Sequence, residues 1–549
     1  AAGITQEGKI MKRKAVAAVL TAVMVASMFT GCGSDKGSSS AKSTSAASAA
    51  NDTVDEDGKV NGIMYQEGLP LVDEGDYTFS IFCDDSSESG EFIMLDEFKK
   101  QTNVDVDLKI YPYETATERL NSGDYADVIG GWTLSDNAIL TYGVNQGVFI
   151  PLEDYFEKYC PNISAILDLP GVREKMTAPD GHIYTIPYVC ADATVGYSPY
   201  INTKWLENVG MSMPTTTDEF EAVLKAFKEQ DANGNGDASD EIPFSTDPNN
   251  KHIEAMAGYF GLPMNKLGIA IQDEKVVYGG VSDTYREFLS WFHKLYAEGL
   301  VDVELYTQDS STWEGKGNQD LYGVSIAYGS NEFTGIPAAE ERGDFDSMPV
   351  LNTDKGGIWM RDTEGFSVYR TQAVITNKAE HPEIICRWFD NAFALENGIG
   401  CNRGPVGVIV NKEDDGYHAI DTTTLSEEDQ EKYSWGNLWP QSLPKYLPVD
   451  FEFVEEHPMY DEKKATEEAY EANLTKEIIP SYWIDLDKID TFSDTNTAIK
   501  DFFEQQQAQF VCGELDIDND ADWQAYVDGM YSLGLEDWVA TQGIEEIAK

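Results

Sequence analysis

The sequence predicts an α/β protein built as two lobes. Strand-like alternation and helical periodicity take turns along its first third, and the globular part runs to roughly 490 residues, more than one hydrophobic core accommodates. Residues 77–82, Tyr-Thr-Phe-Ser-Ile-Phe, alternate and predict a strand. Phe92, Leu95 and Phe98 mark the inner face of a following helix. Residues 104–110 alternate again and predict a second strand, 115–122 a helix, and 126–131 a short buried strand. This order implies α/β layers around a largely parallel sheet. Ligands of such sheets sit beyond the C-terminal strand ends. Trp132 follows the third strand at once and so falls on the rim of a predicted cleft.

Further on, Thr216 and Glu219 form a capping box. Phe220, Val223, Leu224 and Phe227 then recur at i, i+3, i+4 and i+7, which predicts an amphipathic helix. Residues 285–298 predict another helix, ended by Gly299, and 322–328 and 372–376 predict strands. His381-Pro382-Glu383 opens a helix reaching about Ala394.

The N-terminal segment is of a different kind. Met11 is followed by Lys12, Arg13 and Lys14 and then by an apolar run from Ala15 to Phe29, the pattern of a secretory signal. The run falls short of the about 20 apolar residues of a comfortable membrane span. Phe29-Thr30-Gly31-Cys32 resembles a bacterial lipobox, with Phe29 where an aliphatic residue is usual. Cys32 is therefore the expected lipidation site, against an ordinary cleaved signal with an incidental cysteine. Residues 1–31 are read as signal peptide and upstream residues, and 32–76 as the lipidated cysteine and a flexible tether. Two acyl chains make a stable anchor where one is marginal, which places the protein on the extracellular face of a bacterial cytoplasmic membrane.

With 39 basic against 97 acidic residues, the net charge of −58 excludes nucleic-acid binding, which needs a basic footprint. It also disfavours polyanionic ligands and suits divalent cations. Besides Cys32 there are six widely spaced cysteines, Cys83, Cys160, Cys190, Cys386, Cys401 and Cys512, with no C-x-x-C pair. Isolated disulfides and buried free thiols both remain open.

Asp231, Asn233 and Asn235 place oxygen donors at positions 1, 3 and 5 of a loop with Gly236 at position 6 and Asp237 at 7. That is the front half of an EF-hand-like Ca²⁺ loop. The back half departs from it, because position 12 is Ile242.

Several segments resemble the extracellular solute-binding lipoproteins of ABC sugar importers, in particular the calcium-containing alginate-oligosaccharide binders. The residues are Asn121-Ser122-Gly123-Asp124 with Asp127-Val128-Ile129, Gly147 to Leu152, Pro179-Asp180-Gly181 with Ile186-Pro187, Leu295 to Leu300, and Asp522-Trp523 with Tyr526. The resemblance runs from about Tyr77 to Trp538. It implies a two-lobed periplasmic-binding-protein-like fold (type II) with a hinge and a central ligand cleft. It places chain crossings near Pro187–Cys190, near Pro349–Asn352 and near Ala394. The N-terminal lobe is then 77–189 plus 350–394, and the C-terminal lobe 190–349 plus 395–549. It also closes the metal loop with Asp240-Glu241, giving structural calcium the ligands Asp231, Asn233, Asn235, Asp237, Asp240 and Glu241.

Sugars stack on aromatic faces and pair with planar polar groups. The ligand-binding candidates are accordingly Trp132, Tyr188, Tyr328, Trp359, Arg361, Trp435 and Trp439. The implied function is non-catalytic capture of an oligosaccharide by a monomer that hands it to an ABC transporter membrane permease. A surface glycoside hydrolase, or a binder of peptides or other small solutes, is the alternative. No nucleophile elbow, H-E-x-x-H or Walker loop is present, and the six histidines are scattered.

Overall fold

The computed structural model describes residues 52–83, 92–111, 115–131, 134–247, 252–335, 344–420, 422–451, 453–454, 458–544 and 546–548. Cys32 with the signal segment, and Trp132, lie outside them. The elements that frame the site begin with β1 (Tyr77–Cys83), α1 (Ile93–Thr102), β2 (Val104–Ile110), β3 (Val128–Gly130) and β4 (Thr185–Ala191). They continue with β5 (Ser198–Asn202), α2 (Thr217–Glu229), β6 (Ile242–Thr246), α3 (Asp283–Ala297), β7 (Tyr322–Ala327) and β8 (Phe345–Ser347). Last come β9 (Phe366–Ile375), α4 (Pro382–Ala392), α5 (Leu395–Arg403), α6 (Pro458–Tyr470) and α7 (Ile489–Cys512).

Two separate hydrophobic cores define two lobes. The first forms on a five-stranded sheet of order β2-β1-β3-β9-β4. The alternation of β1 buries Phe79, Ile81 and Cys83, which pack with Phe98 of α1 and Trp388 and Phe389 of α4. The second forms on a four-stranded sheet of order β8-β5-β7-β6, where Phe220, Leu224 and Phe227 of α2 meet Phe244, Phe288, Phe292 and Val324. The periodic face of α2 is thus its buried face. Its cap differs slightly from the expected box. Thr216 accepts from the Glu219 N–H at 3.2 Å, but the Glu219 carboxylate reaches back to the N–H and hydroxyl of Thr215, each at 2.8 Å.

The sheets are mixed rather than largely parallel. β1 runs parallel to β2 and β3, while β9 is antiparallel to both β3 and β4. In the second sheet β7 is parallel to β6 and antiparallel to β5. The cause in the first sheet is the hinge: β4 leaves the first lobe where β9 enters it, so the two must run in opposite senses.

The expected lobe boundaries shift in three places. Residues 52–76 are not tether. Val60, Met64, Leu71 and Val72 are buried in the first core, and the Leu71 N–H donates to Thr102 O at 2.9 Å. Residues 350–365 stay with the second lobe, since Val350, Leu351 and Trp359 are part of its core. Residues 395–451 belong to the first lobe, where Cys401, Trp439 and Leu443 are buried. The chain accordingly crosses within 191–197 and within 359–366, not near Pro349–Asn352 or Ala394, and by Tyr470 at the end of α6 it is again in the second core. It touches the first lobe again at 482–489, where the Trp483 indole donates to Lys175 O at 3.1 Å, and then returns along α7. The six cysteines among the described residues are all free thiols. No helix among them is long and apolar enough to cross a membrane.

Candidate ligand cleft and metal loop

The two antiparallel crossing strands are tied together at the hinge. The Asp192 N–H donates to Gly365 O at 3.1 Å and the Asp362 N–H to Thr194 O at 2.9 Å. Asp192 is the polar centre of this junction. Its carboxylate accepts from the Ser367 hydroxyl and, at 3.1 Å, from the Tyr328 hydroxyl at the end of β7. One carboxylate thus joins both crossing strands to the second lobe.

Aromatic rings line both sides of the junction. On the first-lobe side, the register of β4 on β9 sets Tyr188 opposite Tyr369, and their rings stack at 5.6 Å and 20°. Lys445 Nζ lies 5.8 Å from the Tyr188 ring and 5.5 Å from that of Trp435, which is 59% exposed. On the second-lobe side, Tyr197 meets Tyr328 edge-on at 6.0 Å and stacks on His252 at 3.9 Å. Lys463 Nζ sits 4.1 Å above the Tyr328 ring and donates to the carbonyls of Tyr328 and Gly196.

The ionisable groups at the junction are shifted by burial and by neighbouring carboxylates. Burial, then the Asp192 charge, pushes the Tyr369 phenol up to about 12 and the Cys190 thiol up to about 11. Burial draws the Lys463 ammonium down to about 8 although Asp362, Glu467, Glu332 and Glu462 oppose it. Asp362 keeps a solvent-exposed edge, yet the protein on its other sides pushes its carboxyl up to about 6 against the Gly196 N–H that it accepts at 2.7 Å.

His252 occupies the left-handed region at φ +46°, and burial, with Lys266 second, holds its imidazole down to about 4. The unfolded chain takes up that proton near 6.5. Between these values the unfolded state binds more protons, so stability is lost as pH falls from about 6.5 towards 4. His252→Asn keeps a residue that tolerates positive φ and removes the titration. Chemical denaturation at pH 7 and pH 4.5 is expected to show an acid-induced loss smaller in the variant by about 1–2 kcal/mol, the full shift being discounted for partial exposure. Equal losses would refute the assignment.

Of the residues singled out from sequence, Tyr188, Tyr328 and Trp435 come together here. Trp359 does not, because it is 2% exposed and packs against Tyr259 and Tyr470. Trp439 is fully buried and stacks on Trp388 at 5.7 Å; its indole donates to Leu443 O. Arg361 is a clip within the second lobe, held by Thr475 O and Glu471. Sequence reasoning missed Asp192, Tyr197, Tyr369, Lys445 and Lys463. Only Tyr369 carried a signal, as an aromatic residue in a polar strand segment.

The loop between α2 and β6 is the second feature. Its own groups satisfy most of its donors. Gly236 N–H donates to Asp231 Oδ2 at 3.0 Å, Asp237 N–H to Asn235 Oδ1 at 2.8 Å, and Ala232 N–H to Glu241 Oε1 at 2.9 Å. The Asn233 and Asn235 amides both donate to Asp240. Asp231 Oδ1 and Glu241 Oε2 are buried with no hydrogen-bond partner, a costly state for a carboxylate oxygen. Burial raises the Glu241 carboxyl, and Asp240 adds to the rise against its hydrogen bonds. Two unpaired, hard, anionic oxygens in a loop of further oxygen donors fit a divalent cation such as Ca²⁺.

A two-lobed α/β protein with an aromatic-lined junction at its hinge has the architecture of a solute-binding protein. Residues 94–353 match the model of the bacterial extracellular solute-binding protein family. The fructooligosaccharide ABC transporter substrate-binding protein FusA of Streptococcus pneumoniae is 33% identical over 334 residues, 58% of this chain. That match spans 61% of the relative's length. The structure of FusA in complex with kestose superposes with a TM-score of 0.74 at 27% identity, covering 85% of this chain and 98% of that one. An EF-hand mutant of FusA in complex with fructo-nystose gives 0.72 at 26% identity over the same shares. The fold is also that of the alginate-binding protein AlgQ2 without calcium ion, with a TM-score of 0.69 at 22% identity, covering 87% of this chain and 99% of that one.

Proposed function

We propose that this protein captures an oligosaccharide between its lobes, without chemical change, and presents it to an ABC transporter permease. The stacked Tyr188–Tyr369 pair beside the exposed Trp435, facing Tyr328 across the hinge carboxylate Asp192, carries this reading. Flat aromatic faces take the apolar faces of sugar rings, and a few fixed polar groups take the hydroxyls. Its likeness to FusA, a fructooligosaccharide substrate-binding protein, supports the sugar class and the transporter partnership. The protein acts as a monomer, lipid-anchored at Cys32 on the outer face of the cytoplasmic membrane. The loop from Asp231 to Glu241 would hold a structural calcium ion, with Glu241 rather than Asp240 supplying the closing carboxylate. The existence of an EF-hand mutant of FusA supports the ion, and the unpartnered Glu241 oxygen favours Glu241 over Asp240.

Thermal shift and calorimetry against a panel of oligosaccharides test the capture reading. A bound sugar is expected to raise the unfolding temperature and to be recovered intact. Trp435→Ala and Tyr188→Ala are each expected to weaken binding several-fold to tenfold, as for a lost stacking partner worth about 0.5–1.5 kcal/mol. Cleavage of the sugar, or unchanged affinity in both variants, would refute it.

A further inference from the structure

We propose that the cleft selects neutral oligosaccharides and rejects those bearing uronic acids. This rests on the capture reading. The structural relatives leave the choice open, since they include proteins described with kestose and with alginate. The charges of this chain decide it. Four carboxylates bear on the second-lobe aromatic wall. Asp192 is bonded to Tyr328, Glu332 accepts the Tyr328 N–H at 2.9 Å, Asp247 and Glu332 both act on Tyr197, and Asp362 lies on the crossing strand beside Gly196. One cation lies beside each aromatic wall, Lys463 on the second-lobe side and Lys445 on the first-lobe side, and both are engaged. Lys463 donates to two carbonyls and has four carboxylates around it. Lys445 is bonded to Gln441 and lies against Tyr188 and Trp435.

A uronate entering this space would bring a charge that, among the described residues, no uncommitted guanidinium or ammonium beside these rings answers, and burial would strengthen the repulsion. The net charge of −58 repels such a ligand before it arrives. A neutral sugar meets the reverse situation: carboxylate oxygens accept from hydroxyls as strong, charge-assisted partners.

The test uses the full chain in calcium-containing buffer, with kestose, xylo-oligosaccharides and cello-oligosaccharides as neutral probes and trigalacturonate and alginate trisaccharide as acidic ones. The expected result is binding of at least one neutral probe, with every acidic probe at least tenfold weaker. The double variant E332Q/D362N is expected to narrow that gap at least threefold at low salt. An acidic probe bound as tightly as the neutral ones overturns the selectivity and leaves sugar capture standing. A gap that the double variant does not narrow overturns the electrostatic cause. No binding of any probe overturns sugar capture, and the selectivity with it.

Discussion

Arg370→Ala is expected to destabilise the protein by about 3 kcal/mol, the scale for breaking a buried ion pair by removing one partner. Arg370 lies in β9 where its register on β4 slips, between Tyr369 and Ala373, and it is 6% exposed. Its guanidinium takes both oxygens of Asp136, at 2.8 and 2.5 Å, and donates to the carbonyls of Ser481 and Tyr482. The same plane lies 4.1 Å from the centre of the Trp483 ring. Three segments far apart in sequence are thus fastened by one side chain beside the hinge. Alanine leaves two carbonyls and a partly buried carboxylate without their donor. Lysine restores a charge but not the planar fork, so Arg370→Lys is expected to recover less than half of the loss. Denaturant unfolding of both variants, with Asp136→Ala and the double mutant, gives a coupling energy expected at about 1–3 kcal/mol. A loss below about 1 kcal/mol for Arg370→Ala would remove Arg370 from this role.

What the sequence discloses and what it hides follow from the range of the interactions. The helix α2 and the strand β1 are written in consecutive residues, and both form where the pattern places them. Trp439 misleads for the opposite reason. It stands among Gly, Asn and Pro, which marks a loop, but the loop closes over the first core and stacks the ring on Trp388, some fifty residues away. The assignment of 395–451 to the wrong lobe has the same origin, because nothing local to Cys401 or Leu443 records which core they fill. The Tyr188–Tyr369 pair depends on the register of two strands separated by most of the second lobe. Residues 52–76 were hidden by composition: their acidic and glycine-rich surroundings mask the few apolar residues, Val60, Met64, Leu71 and Val72, that dock on the first lobe.

Removing the calcium ion proposed for the Asp231–Glu241 loop is expected to be the second large perturbation. An ion bound to the folded state alone stabilises by RT ln(1 + [L]/Kd), about 2.7 kcal/mol at a hundredfold excess over Kd. Chelation is therefore expected to lower the unfolding temperature by several degrees, reversibly. Glu241→Ala should abolish that dependence. Asp240→Asn should reduce it much less, because both Asp240 oxygens already accept side-chain amides. The sign in chelator is the sharper test. There Glu241 is a buried carboxylate with one oxygen unpartnered and its carboxyl raised. A raised carboxyl contributes stability that is present below the unfolded value and lost as pH rises through the folded one. Without the ion, wild-type stability should thus improve on mild acidification, and Glu241→Ala should equal or exceed wild type at pH 7. With the ion the order reverses, since the ligand must be ionised. If Glu241→Ala loses as much stability in chelator as in calcium, Glu241 is a packing residue and the loop holds no ion.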